Sequence, residues 1–213
     1  MIKIENVSIS GFEPAIRGMR NPKNSWDRSD SHKGMSGDEW SIDPGYIIGP
    51  NDKDLMMRLA AGGAVHAKYR RMIVVWLDIL APRFWWAEFD TYKVGTVSDS
   101  CSTMHKIHSR DLELDDFSHE HLHEMEIYAL ESLIRLMNDA RNKFVESGNK
   151  EYWWQMIQLL PASYNQRRTI MLNYEVLAKM YSERRTHKLD EWREFCAWIE
   201  TLPYSGVITG QEV

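Results

Sequence analysis

The sequence feature that most constrains the fold is a short apolar run at residues 71–80. It is rich in β-branched and aromatic residues, and Pro82 follows closely, so we expect a strand that is largely buried on both faces. Pro82 suits the first turn of a helix, where a missing N–H group costs nothing, and the next predicted helix covers residues 83–92. The chain must therefore build its core around this strand.

The other predicted elements place strands early and helices late. Residues 1–6 alternate between apolar and polar side chains and predict a first strand. Residues 51–59 predict a helix that Asn51, Asp52 and Asp54 cap and that Gly62-Gly63 ends. Further helices are predicted over residues 118–147, 150–159, 168–185 and 189–202. Without a regular strand–helix–strand alternation, this order indicates an α+β fold, with a small mixed or antiparallel sheet and a largely helical C-terminal half.

Between the first strand and the first of these helices lies an irregular stretch, residues 11–49. It is rich in Asn, Asp, Ser, Gly and Pro and shows no sustained period, so we expect a loop with short helical pieces. A long irregular segment within a compact domain is more often functional than idle. We therefore expect a lid, or an arm that reaches a neighbouring subunit.

Length and charge exclude several classes of protein. A chain of 213 residues predicts a single domain over residues 1–213. No apolar run approaches the ~20 residues of a membrane span, and the N-terminus lacks the apolar block of a secretory signal. With only two cysteines, the expectation is a cytoplasmic protein with no membrane partner. The formal charge of −5 argues against an extended nucleic-acid surface, so any bound anion should be small.

The chain is unusually rich in tryptophan, with nine residues, of which Trp85-Trp86 and Trp153-Trp154 are adjacent pairs. Neighbouring side chains on a helix point about 100° apart. One member of each pair is therefore expected to leave the core for a subunit interface or a planar ligand.

Residues 93–102 are small and rich in hydroxyl groups, which suits a segment that offers several donors to one ligand. Cys101 lies in this segment and would need a neighbouring base, such as His105 or His108, to act as a nucleophile. The alternative is that Cys101 is a small residue packed in the core.

The stretch His119-Glu120-His121-Leu122-His123 fits the H-E-x-x-H pattern of zinc hydrolases. His119 and His123 would share one face of a helix, with Glu120 beside them. The pattern lacks an evident third zinc ligand, and Ser118 suits the N-cap of the helix. A solvated, pH-sensitive helix start is the alternative that we favour.

Three arginine pairs stand out in this acidic chain: Arg70-Arg71, Arg167-Arg168 and Arg184-Arg185. Guanidinium groups bind phosphate or carboxylate in a bidentate manner, so converging pairs would form a pocket for a phosphorylated ligand. The alternative is that each pair makes ordinary surface salt bridges.

The C-terminal part contains Leu160-Pro161, then Asn173, then Arg184 eleven residues after that Asn, and then His187-Lys-Leu-Asp-Glu-Trp-Arg193. This order resembles the flavin-dependent thymidylate synthases, in which a Leu-Pro step precedes an Asn on a long helix, an Arg at that spacing and a His-Ala-Gln-x-Glu-Ile-Arg-like stretch. The resemblance implies that Asn173 contacts the flavin. It also implies that Arg184 binds and polarises the pyrimidine as the catalytic residue.

The resemblance extends upstream through His66, the Ala81-Pro82 step and residues 91–104, which align with the family's Arg-His-Arg signature. It implies cofactor contacts from His66, Tyr92, Lys93 and Ser98, and nucleotide contacts from Asp99, Ser100, Cys101 and Thr103. The signature itself is altered. Thr103 and Ile157 stand where the family has arginines that bind the nucleotide, and losing them would cost several charge-assisted hydrogen bonds unless Arg167 or Arg168 substitutes.

The resemblance implies a homotetramer that holds FAD between subunits, with NADPH and methylenetetrahydrofolate as co-substrates. The expected reaction is the methylation, or a similar modification, of a pyrimidine deoxynucleotide such as dUMP. No enzymic nucleophile is needed in that chemistry, so Cys101 has no catalytic task in it. The alternative is a protein that kept the fold as a nucleotide- or flavin-binding module, or with another substrate, and lost thymidylate synthesis.

Overall fold

The computed structural model describes residues 1–34, 41–42 and 45–211. Its contacts divide the chain into two compact units. The first unit comprises Met1–Lys3, Leu80–Thr91 and Asp99–Arg168, and the second comprises Ile4–Ile79, Tyr92–Ser98 and Thr169–Val213. The expectation that residues 1–213 act as a single domain stays a prediction.

The α+β fold class is confirmed. The strands are β1 (Lys3–Ser10), β2 (His32–Lys33), β3 (Ser41–Ile42), β4 (Tyr46–Ile47), β5 (Val74–Pro82), β6 (Val97–Ser100) and β7 (Asn165–Asn173). The helices are α1 (Phe12–Arg20), α2 (Pro50–Ala61), α3 (Arg83–Phe89), α4 (Thr103–Lys106), α5 (Glu124–Ser147), α6 (Lys150–Leu159), α7 (Tyr174–Arg184), α8 (Asp190–Glu200) and α9 (Gly206–Thr209).

The strands form one five-stranded sheet in the order β3-β1-β5-β7-β6 and a separate pair, β2 and β4. β1 and β3 are parallel, with Ser8 opposite Ser41, whereas β2 and β4 are antiparallel. The central strand β5 is the one that the apolar run predicts. No helix of the described residues is long and apolar enough to cross a membrane.

β5 is buried on only one face, so the prediction of two buried faces is wrong. Val75, Leu77 and Ile79 are buried, but Trp76 between them is 38% exposed. Asp78 on the same face as Trp76 accepts hydrogen bonds from Asn6 (2.8 Å) and Thr169 (2.6 Å). The alternation of buried and exposed residues is not visible in the sequence, because Trp76 on the outer face is itself hydrophobic.

A strand and a helix replace the single helix that the sequence predicts over residues 168–185. β7 alternates burial at Ile170 and Leu172, as a half-buried strand does. The Asn173 side chain then accepts hydrogen bonds from the N–H groups of Glu175 and Val176, both at 3.1 Å, and thereby caps α7. The resemblance places Asn173 on a long helix, whereas it is the residue at which the strand becomes a helix.

The first unit has its own apolar core between α5 and α6. Leu130, Ile134 and Met137 from α5 pack with Met156 from α6. The predicted helix over residues 150–159 is confirmed. The predicted helix start at Ser118 is wrong, because α5 begins at Glu124 with His123 as its N-cap, and residues 118–123 are not helical.

The N-terminal region contains more regular structure than predicted, namely α1 and the β2–β4 pair. Asp52 does not cap α2, whose N-cap is Gly49. Its buried carboxylate instead accepts a hydrogen bond from Arg20 Nε (2.6 Å) and from the Ser29 and Ser31 hydroxyls (2.7 and 2.6 Å). Burial raises the pKa of Asp52, but these donors outweigh it and hold the pKa below its ordinary value. Residues 35–40 and 43–44 lie outside the described part, and the lid or arm stays a prediction.

The adjacent tryptophans behave differently in the two pairs. Trp85 and Trp86 are 0% and 1% exposed, so the prediction that one of them leaves the core is wrong. Their rings meet edge to face at 4.9 Å, and the Trp86 indole N–H donates to the Gln166 carbonyl (2.9 Å). Trp154 is 45% exposed, as predicted for one member of the second pair.

Candidate functional site

Arg184 ends α7 in the second unit, with its guanidinium group beside two aromatic rings that also contact each other edge to face at 6.0 Å. The guanidinium carbon lies 4.8 Å from the centre of the Trp192 ring and 5.6 Å from that of Tyr92. Its Nε atom donates to the Tyr92 hydroxyl (2.8 Å), which donates in turn to Glu183 (2.7 Å). We refer to Tyr92, Glu183, Arg184 and Trp192 as the Arg184 cluster.

The Arg184 cluster fixes a planar cation in one orientation. Trp192 is fully buried and Tyr92 is 6% exposed, while the Arg184 side chain is half-buried. Cation–π contacts gain strength where water is excluded, reaching about 2 kcal/mol. Burial raises the pKa of Tyr92, and the hydrogen bond to Glu183 raises it further against the opposing effect of Arg184. The phenol therefore stays protonated at neutral pH and keeps its bond to Arg184.

Asn173 and Gly95 meet at the other end of α7. Gly95 has a φ of +82°, and a Cβ atom there would lie 3.0 Å from both Asn173 Nδ2 and Val176 Cγ2. The residue thus requires glycine for its backbone conformation and for space. Because α7 has eleven residues, Asn173 and Arg184 are separated by roughly 16 Å along its axis. They would contact different parts of a ligand.

The remaining predicted cofactor residues, His66, Lys93 and Ser98, are exposed. His66 follows the end of α2, where its N–H group donates to the Gly63 carbonyl (2.9 Å). Lys93 lies two residues before Gly95 in the second unit, and Ser98 follows in the part of β6 that belongs to the same unit. Their ammonium and hydroxyl groups therefore lie at the surface of this unit.

Four of the predicted nucleotide residues lie in the first unit, whereas Arg184 lies in the second. Asp99 and Ser100 are exposed on β6, and Cys101 is also exposed, so the alternative of a packed Cys101 is wrong. Cys101 donates its N–H group to the Arg167 carbonyl and accepts from the Gln166 side chain, both at 3.0 Å. Thr103 begins α4, which the Ser102 hydroxyl caps.

Cys101 and Thr103 line a cavity of about 240 Å³, which we call the α4 cavity. Its wall contains three basic residues and no acidic residue. Burial and the nearby Asp116 carboxylate raise the pKa of Tyr164, which also lines the cavity. The lining residues are Cys101, Ser102, Thr103, Lys106, Ile107, Ser109, Arg110, Leu112, Tyr164, Asn165, Gln166 and Arg167.

The arginine pairs serve different purposes. Arg70 is buried and binds Glu175 (2.7 Å) and the Val207 carbonyl (3.0 Å). Arg168 binds Asp90 (2.7 Å) and stacks over Trp86 at 4.3 Å. Arg70 and Arg168 thus form internal ion pairs, whereas Arg167 lines the α4 cavity and Arg184 occupies its aromatic cluster.

The helical zinc motif is not formed. The residues from His119 to His123 precede α5 and are not helical, so the two histidines do not share a helix face. The His119 ring Nδ1 atom lies 2.7 Å from the Phe117 carbonyl oxygen, and Glu120 binds the N-terminal ammonium group and the Ser118 hydroxyl. Within residues 1–34, 41–42 and 45–211, no cluster of His, Cys, Asp and Glu is placed to hold a metal ion.

Sequence reasoning missed Trp192 and Glu183 as partners of the predicted catalytic arginine, and Lys106 and Arg110 as cavity residues. Trp192 is eight positions after Arg184, and their contact forms only because the chain turns between α7 and α8. No local pattern in the sequence marks that contact.

No protein-family model matches the sequence, and no curated protein does either. Solved structures do match it. A flavin-dependent thymidylate synthase ThyX from Helicobacter pylori, complexed with FAD and dUMP, aligns with a TM-score of 0.65 at 16% identity over 97% of this chain and 95% of that one. A second structure of ThyX from Helicobacter pylori, with FAD and dUMP, gives the same TM-score and identity over 97% and 94%. The chain therefore has the fold of the flavin-dependent thymidylate synthases.

Proposed function

We propose that this chain is a divergent FAD-dependent enzyme of the thymidylate synthase type. It methylates, or similarly modifies, a pyrimidine deoxynucleotide such as dUMP and takes the carbon unit from methylenetetrahydrofolate, with NADPH as reductant. The Arg184 cluster is the observation that carries this proposal. It presents an oriented guanidinium group at the position where the family resemblance requires the catalytic arginine.

Arg184 would bind a carbonyl oxygen of the pyrimidine and stabilise the negative charge that develops on the ring as it attacks the one-carbon unit. Its planar donors suit that carbonyl, and the two aromatic rings limit how far the group can turn. Such preorganisation matters because the cation need not reorient during the reaction. No thiolate is required, so Cys101 has no nucleophilic task.

The exposed groups of the second unit fit FAD by their chemistry. His66, Lys93 and Ser98 offer imidazole, ammonium and hydroxyl groups, which suit the pyrophosphate and ribityl parts of the cofactor. The polar atoms of Tyr92 and the carbonyl oxygen of Asn173 are used within the chain, so these two residues would shape the cofactor site around Gly95. When bound, reduced FAD supplies the hydride that completes the methyl group.

The test of cofactor binding is a titration of the purified chain with FAD, followed by flavin absorbance and fluorescence. We expect saturable binding at one FAD per chain, and a loss of about tenfold in affinity for the double variant Lys93→Ala and Ser98→Ala, which removes a charge-assisted contact. Lys143→Ala, at an exposed lysine of α5, is the control and should bind FAD as the wild type does. A chain that carries no flavin and takes up none would refute the proposal.

We propose a homotetramer as the working assembly, since the family resemblance implies FAD held between subunits. Light scattering coupled to size exclusion measures the mass directly. A mass of four chains would support the proposal, and a monomer that nevertheless turns over dUMP would contradict it.

A second candidate function is a nucleotide- or flavin-binding module without thymidylate synthesis. It is favoured by one observation: Ile157, at the position of a family arginine, packs against the apolar core of the first unit. Binding of FAD and dUMP without any formation of dTMP would select this second function.

A further inference from the structure

A polar cavity lies in the second unit, between α2 and the segment that follows α1. Its volume of about 540 Å³ falls within the ~300–1,000 Å³ of pockets that enclose a small-molecule ligand. We call it the α1–α2 cavity, and it shares no lining residue with the Arg184 cluster or the α4 cavity. Four cations line it, namely Arg20, Lys23, Arg28 and Arg58.

Two of these four cations are already neutralised by carboxylates. Arg20 is buried, and its Nε atom donates to the buried Asp52 carboxylate at 2.6 Å. Its Nη1 atom donates to the Ser25 carbonyl at 3.1 Å, so Arg20 fastens the cavity wall to α2. Arg58 binds Asp54, one turn earlier on α2, at 2.6 Å. Neither guanidinium group therefore offers an uncompensated charge to a ligand.

The other two cations are uncompensated. Lys23 and Arg28 are exposed, and neither forms an ion pair with any residue that the structure describes. Each ends a short 3₁₀ turn, and Asn24 between the turns has a φ of +46°, a conformation that Asn tolerates better than most residues. The Trp26 indole N–H donates to Asn21 Oδ1 at 2.8 Å and links the two turns. The backbone that carries both cations thus has a defined course.

The cavity also contains one carboxylate that is not neutralised. Asp27 is exposed and lines the wall, and it has no ion-pair or hydrogen-bond partner for its side chain among the described residues. Asn24 and Asn51 add amide groups, which both donate and accept hydrogen bonds. A ligand would therefore meet two free cations, one free carboxylate and two amides.

We infer that the α1–α2 cavity binds a small phosphate monoester that carries hydroxyl groups, as a sugar phosphate does. A phosphate monoester bears about 1.5 to 2 negative charges at neutral pH and three acceptor oxygens, which suit the free cations of Lys23 and Arg28. Asp27 repels a bare phosphate, but its carboxylate accepts hydrogen bonds from hydroxyl groups. The cavity therefore favours the hydroxyl-bearing ester over inorganic phosphate. Its residues take no part in the proposed reaction, so the ester binds whether or not the chain forms dTMP.

The first experiment titrates the full chain with ribose 5-phosphate by isothermal calorimetry at low ionic strength. We expect saturable binding that Lys23→Gln and Arg28→Gln each weaken about threefold to tenfold, because each removes a charged donor. The matched controls are Arg17→Gln and Lys68→Gln, exposed basic residues of the same unit outside the cavity, which should change the affinity less than about twofold. Thermal unfolding verifies that each variant is folded. No saturable binding up to about 10 mM, or an affinity unchanged in both cavity variants, would overturn the inference.

The second experiment tests the hydroxyl groups by comparing ribose 5-phosphate with inorganic phosphate. Asp27→Ala removes a like charge and should tighten inorganic phosphate about twofold to fivefold, whereas ribose 5-phosphate also loses its hydroxyl acceptor and should gain nothing. An equal gain for the two ligands would overturn the assignment of Asp27 to the hydroxyl groups. Ribose 5-phosphate binding in a chain that forms no dTMP would sink the proposed function alone. A loss of dUMP binding in Arg28→Gln equal to that of ribose 5-phosphate would overturn the inference of a separate site.

Discussion

Tyr92→Phe is the substitution that most sharply separates the catalytic use of Arg184 from its structural surroundings. It keeps the aromatic ring but removes the hydroxyl that accepts from Arg184 Nε at 2.8 Å and donates to Glu183 at 2.7 Å. Arg184 then keeps its contact with the Trp192 ring but loses the hydrogen bond that orients its guanidinium group.

The expected size of the effect follows from that single lost contact. A hydrogen bond to a charged group contributes about 1.5–3 kcal/mol, and 1.4 kcal/mol corresponds to a factor of ten. Arg184 is only half-buried and retains the ring of Trp192, so we expect the lower end of this range. Tyr92→Phe should therefore lower kcat/KM for dUMP about tenfold.

The chain supplies a close control in Tyr181→Phe. Tyr181 lies on α7, is buried, and donates its hydroxyl to a glutamate, Glu200, at 2.7 Å. In urea denaturation, Tyr181→Phe should lower the free energy of unfolding by about 1.5 kcal/mol for its one lost hydrogen bond, and Tyr92→Phe by at least as much because it loses two. Only Tyr92→Phe should reduce dTMP formation in a steady-state assay. Equal kcat/KM values for the two variants would refute the positioning of Arg184 by Tyr92.

Two further predictions concern the framework around the site. Asp52→Asn leaves Arg20 buried without a charged partner and should cost about 3–5 kcal/mol in urea unfolding, with Asp54→Asn, on the exposed face of α2, as the control. Because the pKa of Asp52 is lowered on folding, its stabilisation is complete above the ordinary value of 3.8 and is lost as the pH falls through the lower value in the folded chain. The wild type should thus lose this contribution in acid, whereas Asp52→Asn has none to lose. If the free energies of unfolding of the two proteins fall in parallel as the pH is lowered, Asp52 does not have the lowered pKa described here. Gly95→Ala should destabilise more than Gly63→Ala, by about 1–3 kcal/mol in thermal or urea unfolding, since both have positive φ but only Gly95 has neighbours within reach of a Cβ atom. Equal losses of unfolding free energy in the two variants would show that the Asn173 and Val176 side chains move aside without cost.

The sequence predicted those elements whose signals are local. β5 and α6 are predictable because each is formed by no more than ten consecutive residues, which carry its whole signal. The strand β7 was missed because its polar half, with Gln166, Arg167 and Arg168, has no alternating hydrophobicity. The start of α5 was misplaced because Ser118 is a good N-cap by type, whereas the helix begins after His123.

The site was predictable only in part for a related reason. Spacing along the chain singled out Asn173 and Arg184, but their surroundings depend on contacts between distant segments. Tyr92 and Arg184 are 92 residues apart, and their hydrogen bond exists only in the folded second unit. Likewise, the basic wall of the α4 cavity combines α4 with β7, and no stretch of sequence contains both.

The most direct test of the central claim is the formation of dTMP from dUMP by the purified chain with FAD, NADPH and methylenetetrahydrofolate, followed by mass spectrometry of the nucleotide. The account predicts a product heavier by one methyl group in place of hydrogen, and a loss of at least about a hundredfold in rate for Arg184→Lys, which keeps the charge but not the planar fork. A chain saturated with FAD and dUMP that forms no dTMP, or one in which Arg184→Lys turns over at the wild-type rate, would contradict it.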